Sequence, residues 1–254
     1  MRLSLRSLGR RGWILSATTI ALLASAALIA GSAAGAQGGA AKKAAPAVAQ
    51  GAAGAAADIE LQGIKDVNEL FKGIPQSGPW LGRASAPVQF VVFADLQCPF
   101  CKEFDVEVMP TLVREYVRTG KIRVYFSGMD FISSDSTRGL KAAAAASAQN
   151  RLWQVVTLLF INQGEERTGW LSEKMVAAVA KAVPGLDVKK FDSARKGKSV
   201  DSLLGNWKAL AEGGGVSSTP TFFAGKANRL APFTVRSLTP APFRSGLDKI
   251  LAAR

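Results

Sequence analysis

The run APVQFVVFAD, residues 86–95, is almost unbroken Val and Phe after a proline. That pattern predicts a strand buried on both faces. Past residue 101 the apolar positions change spacing: Phe104, Val108, Leu112 and Tyr116 fall at steps of four, one face of a helix that ends at Gly120. Pro110 lies inside that helix and is expected to kink it. KIRVYFSGMDF then reads as a second strand, which gives a strand-helix-strand unit.

Residues 136–213 contain no strand-like run. STRGLKAAAAASAQNRLWQVVTLLFINQ reads as one long apolar helix or a helix pair, and three shorter helices follow, started by Ser172, Asp187 and Ser199 and closed by Pro184-Gly185, Gly197 and Gly213. TPTFFAG offers a third strand, APFTV a weaker fourth, and TPAPFRSGLDKILAAR a terminal helix. This order implies an α/β sheet interrupted by a helical insertion over about residues 134–213.

Upstream the pattern is different. Arg2, Arg6, Arg10 and Arg11 precede an uncharged run from Trp13 to Ala30, and small residues follow at Ala34-Gly35-Ala36. Residues 1–36 are therefore expected to be a targeting segment, either cleaved as a signal peptide or retained as an N-terminal membrane anchor. Residues 37–57, rich in Ala and Gly, read as a flexible tether, and 58–254 as the folded domain. The formal net charge is +13; of the 32 basic residues, 32 − 4 = 28 remain outside the targeting segment against 19 acidic ones. Such a surface favours anionic lipid or acidic clients. The basic residues are scattered, without the basic and aromatic interleaving of a nucleic-acid surface, so no nucleic acid is expected.

The chain has two cysteines and no histidine, and both thiols lie in DLQCPFCKEF, at Cys98 and Cys101. A structural zinc needs four ligands, usually Cys or His, and the residues here supply too few, so no metal or other cofactor is expected. A bridge across so short a loop would add little stability, and a domain of this length has no need of one. Redox exchange needs only what is present. An attacking cysteine must be exposed and partly ionised, and a helix N-terminus lowers a thiol pKa through its unpaired N–H groups. Cys98 falls where strand gives way to helix and is the expected nucleophile; Cys101, on the first turn, is the expected resolving thiol. Pro99 at the first helical position suits this geometry. Trp80, Trp153, Trp170 and Trp207 are expected to pack rather than to bind.

FADLQCPFC, GVSSTPTFF (215–223), GPWLGRASAPVQFVVF and LWQVVTLLFINQ together resemble the DsbA-like branch of thioredoxin-fold thiol-disulfide oxidoreductases, over about Gly73 to Arg254. The resemblance implies a thioredoxin fold with a helical insertion between its βαβ unit and a strand led by a cis proline. It also implies export and exchange with protein substrates. Carried onto this chain, it implies a cis bond at Thr219-Pro220, with the Thr219 backbone beside the cysteines and free to pair with a client. Asp95 matches the acidic residue of the family's F-x-D-x-x-C-P signature; it could relay a proton to Cys101 or brace the turn.

Two departures matter. Strong oxidases of the family typically place Pro-His between the cysteines, whereas here the pair is Pro99-Phe100, which offers no charge and no donor. A Cys98 pKa below the free value of about 8.5 but above the family extreme of about 3.5 follows, with a potential between roughly −270 and −120 mV. Thr219 ahead of the proline leaves the direction of exchange open. The sequence thus supports an extracytoplasmic oxidoreductase that donates its Cys98–Cys101 disulfide to secreted proteins and is reoxidised by a membrane quinone-linked partner. A reductase or isomerase, and a peptide-binding module with an inert disulfide, are the alternatives.

Overall fold

In a computed structural model of the protein, residues 59–226 and 229–253 are described; the expected targeting segment and tether lie outside them. The apolar run forms strand β3 (Val88–Asp95), every residue of which is buried. It lies at the centre of a sheet of order β1-β2-β4-β3-β5-β6. β4 (Ile122–Met129) pairs parallel to it and β5 (Thr221–Lys226) antiparallel. The short β2 (Trp80–Leu81) pairs with β4, β1 (Gln76–Ser77) with β2, and β6 (Ala231–Pro232) with β5. This is the α/β thioredoxin fold anticipated.

Alternation along β3 divides the core. Phe90, Val92 and Ala94 join the larger cluster, while Val91 and Phe93 pack on the opposite face with Met129, Ala211 and Phe223. Phe104, Phe222 and Phe243 meet above Phe90, with Phe104 and Phe222 centroids 4.7 Å apart. That aromatic contact fastens the cysteine-bearing helix to the sheet.

The helix itself is irregular. It begins as α2 (Pro99–Glu103), widens into a π turn over Phe104–Val108, returns to α geometry as α3 (Met109–Leu112) and widens again over Val113–Val117. The disturbance anticipated at Pro110 takes this form. Pro110 has no N–H to give and its ring crowds the preceding turn, and the extra residue in the π turn relieves both. Gly120, at φ 75°, closes the helix as its N–H donates to Val117 O (2.9 Å) and that of Lys121 to Tyr116 O (2.9 Å).

Between β4 and β5 lie α4 (Ser134–Ser147), α5 (Leu152–Ile161), α6 (Glu173–Ala182), α7 (Val188–Ala194) and α8 (Lys198–Gly214). The apolar stretch is a helix pair, parted at Asn150, whose φ is 55°. Ser172 and Asp187 cap α6 and α7 by accepting from Met175 N–H and Lys190 N–H. Ser199 does not cap α8. Extended Gly197 holds that position, and the helix runs through Gly213 to stop at Gly215, whose φ of 66° is the left-handed one. Strands β1 and β2 were not expected, because two-residue strands carry no periodicity, and helix α1 (Ile64–Phe71) was not expected either. Helix α9 (Pro240–Ala252) ends the fold. Among the described residues no helix is long and apolar enough to cross a membrane.

Candidate active site

β3 ends at Asp95, and three residues later the chain turns into α2 with Cys98 at the N-cap, φ −72° and ψ 121°. The Cys98 carbonyl accepts from Cys101 N–H and Lys102 N–H, both at 3.1 Å, so the first helical hydrogen bonds start on the residue that carries the first sulfur. Pro99 occupies the first helical position, where a missing N–H leaves nothing unsatisfied. Phe100 projects into solvent at 60% exposure. Both cysteines are free thiols.

The Thr219–Pro220 bond is cis, and it brings Thr219 over the thiols: Cys98 Sγ lies 3.4 Å from the Thr219 carbonyl, within reach for the thiol to donate. This loop corrects one expectation. Cys98 is buried, 5% exposed, rather than open as an attacking thiol was expected to be; Cys101 retains 1%. What access remains is therefore at Cys98.

The electrostatics separate the two sulfurs. The Cys101 thiol, hydrogen-bonded to Cys98, is the chief cause holding Cys98 down to about 6. Burial opposes it, and Thr219 and the N–H groups of Cys101 and Phe100 add to it. Burial, and then the bond and charge of Cys98, push Cys101 well above the ordinary thiol range. One sulfur is a thiolate near neutrality and the other a thiol, the asymmetry that thiol-disulfide exchange uses.

The Asp95 backbone lies beside Cys101, where it opposes the rise of that thiol's pKa, while its carboxylate is engaged by other groups. Its Oδ1 accepts from Gln97 N–H (2.9 Å) and the Ser136 hydroxyl (2.7 Å), its Oδ2 from Ile132 N–H (3.1 Å). Burial raises its pKa and those hydrogen bonds oppose the rise. The carboxylate braces the turn between β3 and α2 against the segment after β4.

Several residues of this neighbourhood carried no signal in the sequence. Gln97 Nε2 donates to the Ser133 (2.6 Å) and Ser136 (2.9 Å) hydroxyls, and its Oε1 accepts from Arg167 N–H (3.0 Å). Gln163 Nε2 donates to the carbonyls of Leu96 (2.8 Å) and Cys98 (3.2 Å). Asp105, buried under α5, accepts from the Thr157 hydroxyl (3.3 Å). The one available cue was a charged residue beside an apolar stripe, at Asp105. Among the described residues no group of three or more Asp, Glu or Cys side chains could hold a metal ion.

A family model described as Thioredoxin matches residues 75–241. The probable disulfide bond formation protein D of Bacillus cereus is 30% identical over 159 residues, 61% of this chain and 73% of that protein. The crystal structure of oxidised BdbD from Bacillus subtilis superposes with a TM-score of 0.61 at 19% identity, over 69% of this chain and 94% of that one. That of α-DsbA1 from Wolbachia pipientis gives 0.58 at 18%, over 73% and 96%. The chain belongs to the thioredoxin family, with disulfide bond formation protein D among its relatives, and is a thiol-disulfide oxidoreductase.

Proposed function

We propose that the protein works as an oxidase outside the cytoplasm, donating the Cys98–Cys101 disulfide to reduced protein clients. The observation that carries this reading is the separation of the two thiols: a stabilised Cys98 thiolate favours the reduced pair, which makes the disulfide a good oxidant. A client thiolate attacks Cys98 Sγ, the Cys98–Cys101 bond breaks, and Cys101 leaves and takes up a proton. A second client thiolate then attacks the client sulfur of the mixed disulfide and releases Cys98 as thiolate. Two electrons pass from client to pair, and a membrane quinone-linked partner takes them off again. In the opposite direction Cys98 is the nucleophile and Cys101 resolves.

Phe100 and Pro99 fill the span between the cysteines, and the Thr219 backbone beside them receives the client's extended chain. The basic run, apolar stretch and small residues of 1–36 support export, by a cleaved signal or a retained anchor. The test is trapping: Cys101→Ser should accumulate client mixed disulfides at Cys98, and Cys98→Ser should form none. A Cys98→Ser protein that traps no client yet keeps full biological function would overturn the reading and favour a peptide-binding module with an inert disulfide.

A further inference from the structure

The active-site turn is held from outside the thioredoxin core. Gln163 follows α5, at the end of the first helix pair of the insertion, and its amide reaches back 65 residues to the Cys98 carbonyl and 67 to that of Leu96. Leu96 is fully buried, so its carbonyl needs a donor from within the protein. The Cys98 carbonyl already receives two helical N–H groups, and Gln163 adds a third donor. The clasp is closed from the other side: Lys102 Nζ, on α2, donates to the Gln163 backbone carbonyl at 3.4 Å, and Gln163 N–H donates to Phe160 O at 3.1 Å.

We propose that Gln163 is a positioning residue for thiol-disulfide exchange, its amide fixing the Cys98 backbone so that the sulfur stays over the N–H groups of α2. This rests on the oxidoreductase reading of the same site and deepens it. Two effects act together. The N–H groups of Phe100 and Cys101 stabilise a sulfur anion only while Cys98 keeps its extended N-cap conformation. A donor on the Cys98 carbonyl also draws negative charge away from the dipole nearest that anion. Removing the amide loosens the first and exposes the second. The helical insertion thereby sets the reactivity of a cysteine it does not contain.

The experiment compares Gln163→Met, of similar length without a donor, with Gln163→Glu, which sets an acceptor against two carbonyls. Cys98 thiolate absorbance is titrated, and the equilibrium with glutathione is measured on the same samples. A lost hydrogen bond of ordinary strength corresponds to about a three- to tenfold change. Gln163→Met should bind the Cys98 proton that much more tightly and shift the glutathione equilibrium towards the disulfide, and Gln163→Glu should exceed it. Should Gln163→Met not fold, Gln163→Asn keeps the polarity but falls one methylene short, and should show the same direction.

A purely structural glutamine would lower the urea midpoint and leave titration and equilibrium within about twofold of wild type, and that result overturns the inference. A wild-type Cys98 that titrates like free cysteine would instead overturn the oxidoreductase account of the site itself.

Discussion

Asp105 stands in the helix that carries the cysteines, one turn beyond Cys101, and is 2% exposed. Thr157 donates to its Oδ1, while Oδ2 is buried without a hydrogen-bond partner. Burial raises the carboxyl from 3.8 to about 7, with Thr157 pulling it slightly back. The folded protein therefore holds this proton more tightly than the unfolded chain does. Below about pH 4 both states are protonated and nothing is lost; as pH rises towards 7 the unfolded chain ionises first and is favoured. Each pH unit in that window removes ~1.4 kcal/mol of folding stability, or ~4 kcal/mol in all, and the loss is constant above it. This is a large share of the about 5–15 kcal/mol typical of a domain. Asp105→Asn keeps the shape and the acceptor for Thr157 but does not titrate. Urea unfolding of both reduced proteins at pH 4 and pH 8 isolates the effect, because Cys98 titrates in both and cancels in the difference. The variant should gain ~2–4 kcal/mol over wild type between the two pH values. A difference that stays constant within ~0.5 kcal/mol refutes the argument.

Other outcomes follow from the same geometry. Phe100→His places an ionisable donor between the cysteines; the thiolate midpoint of Cys98 should fall below about 6 and client oxidation should quicken, measured by absorbance titration and by client thiol loss. The potential of the pair should fall with pH by about 59 mV per unit below the Cys98 midpoint, where reduction takes up two protons, and by about 30 mV above it, where it takes up one; a single slope through pH 6 would contradict the thiolate assignment. Asp95→Asn sets an amide donor against the N–H of Gln97 or Ile132 and should cost about 1–3 kcal/mol of stability by urea unfolding, while exchange with glutathione stays within about threefold. A far larger loss of exchange rate would restore the proton-relay role.

The parts of this protein that could be read in the sequence are those written in local patterns. The buried run of β3 shows as unbroken Val and Phe, the first helix face as steps of four, and the thiol chemistry as two cysteines separated by one helical turn. Gln163 could not be read, because nothing local distinguishes a glutamine that bonds to carbonyls 65 and 67 residues away. Asp105 looks like a solvated helix position until α5 covers that flank with Thr157. The burial of Cys98 was missed for a related reason: the loop at Thr219 that covers it lies 121 residues on. Ser199 misled because its neighbour Gly197 meets the same backbone requirement at the start of α8.

The central claim is that Cys98 and Cys101 form a redox pair poised to give away a disulfide. It is tested most directly by equilibrating the protein with glutathione buffers of graded composition and counting alkylated thiols by mass spectrometry. The account predicts full, reversible interconversion with a potential of roughly −180 to −120 mV. A potential near the thioredoxin value of about −270 mV would make the protein a reductase, and a pair that stays oxidised across the whole range would make its disulfide structural, contradicting the claim.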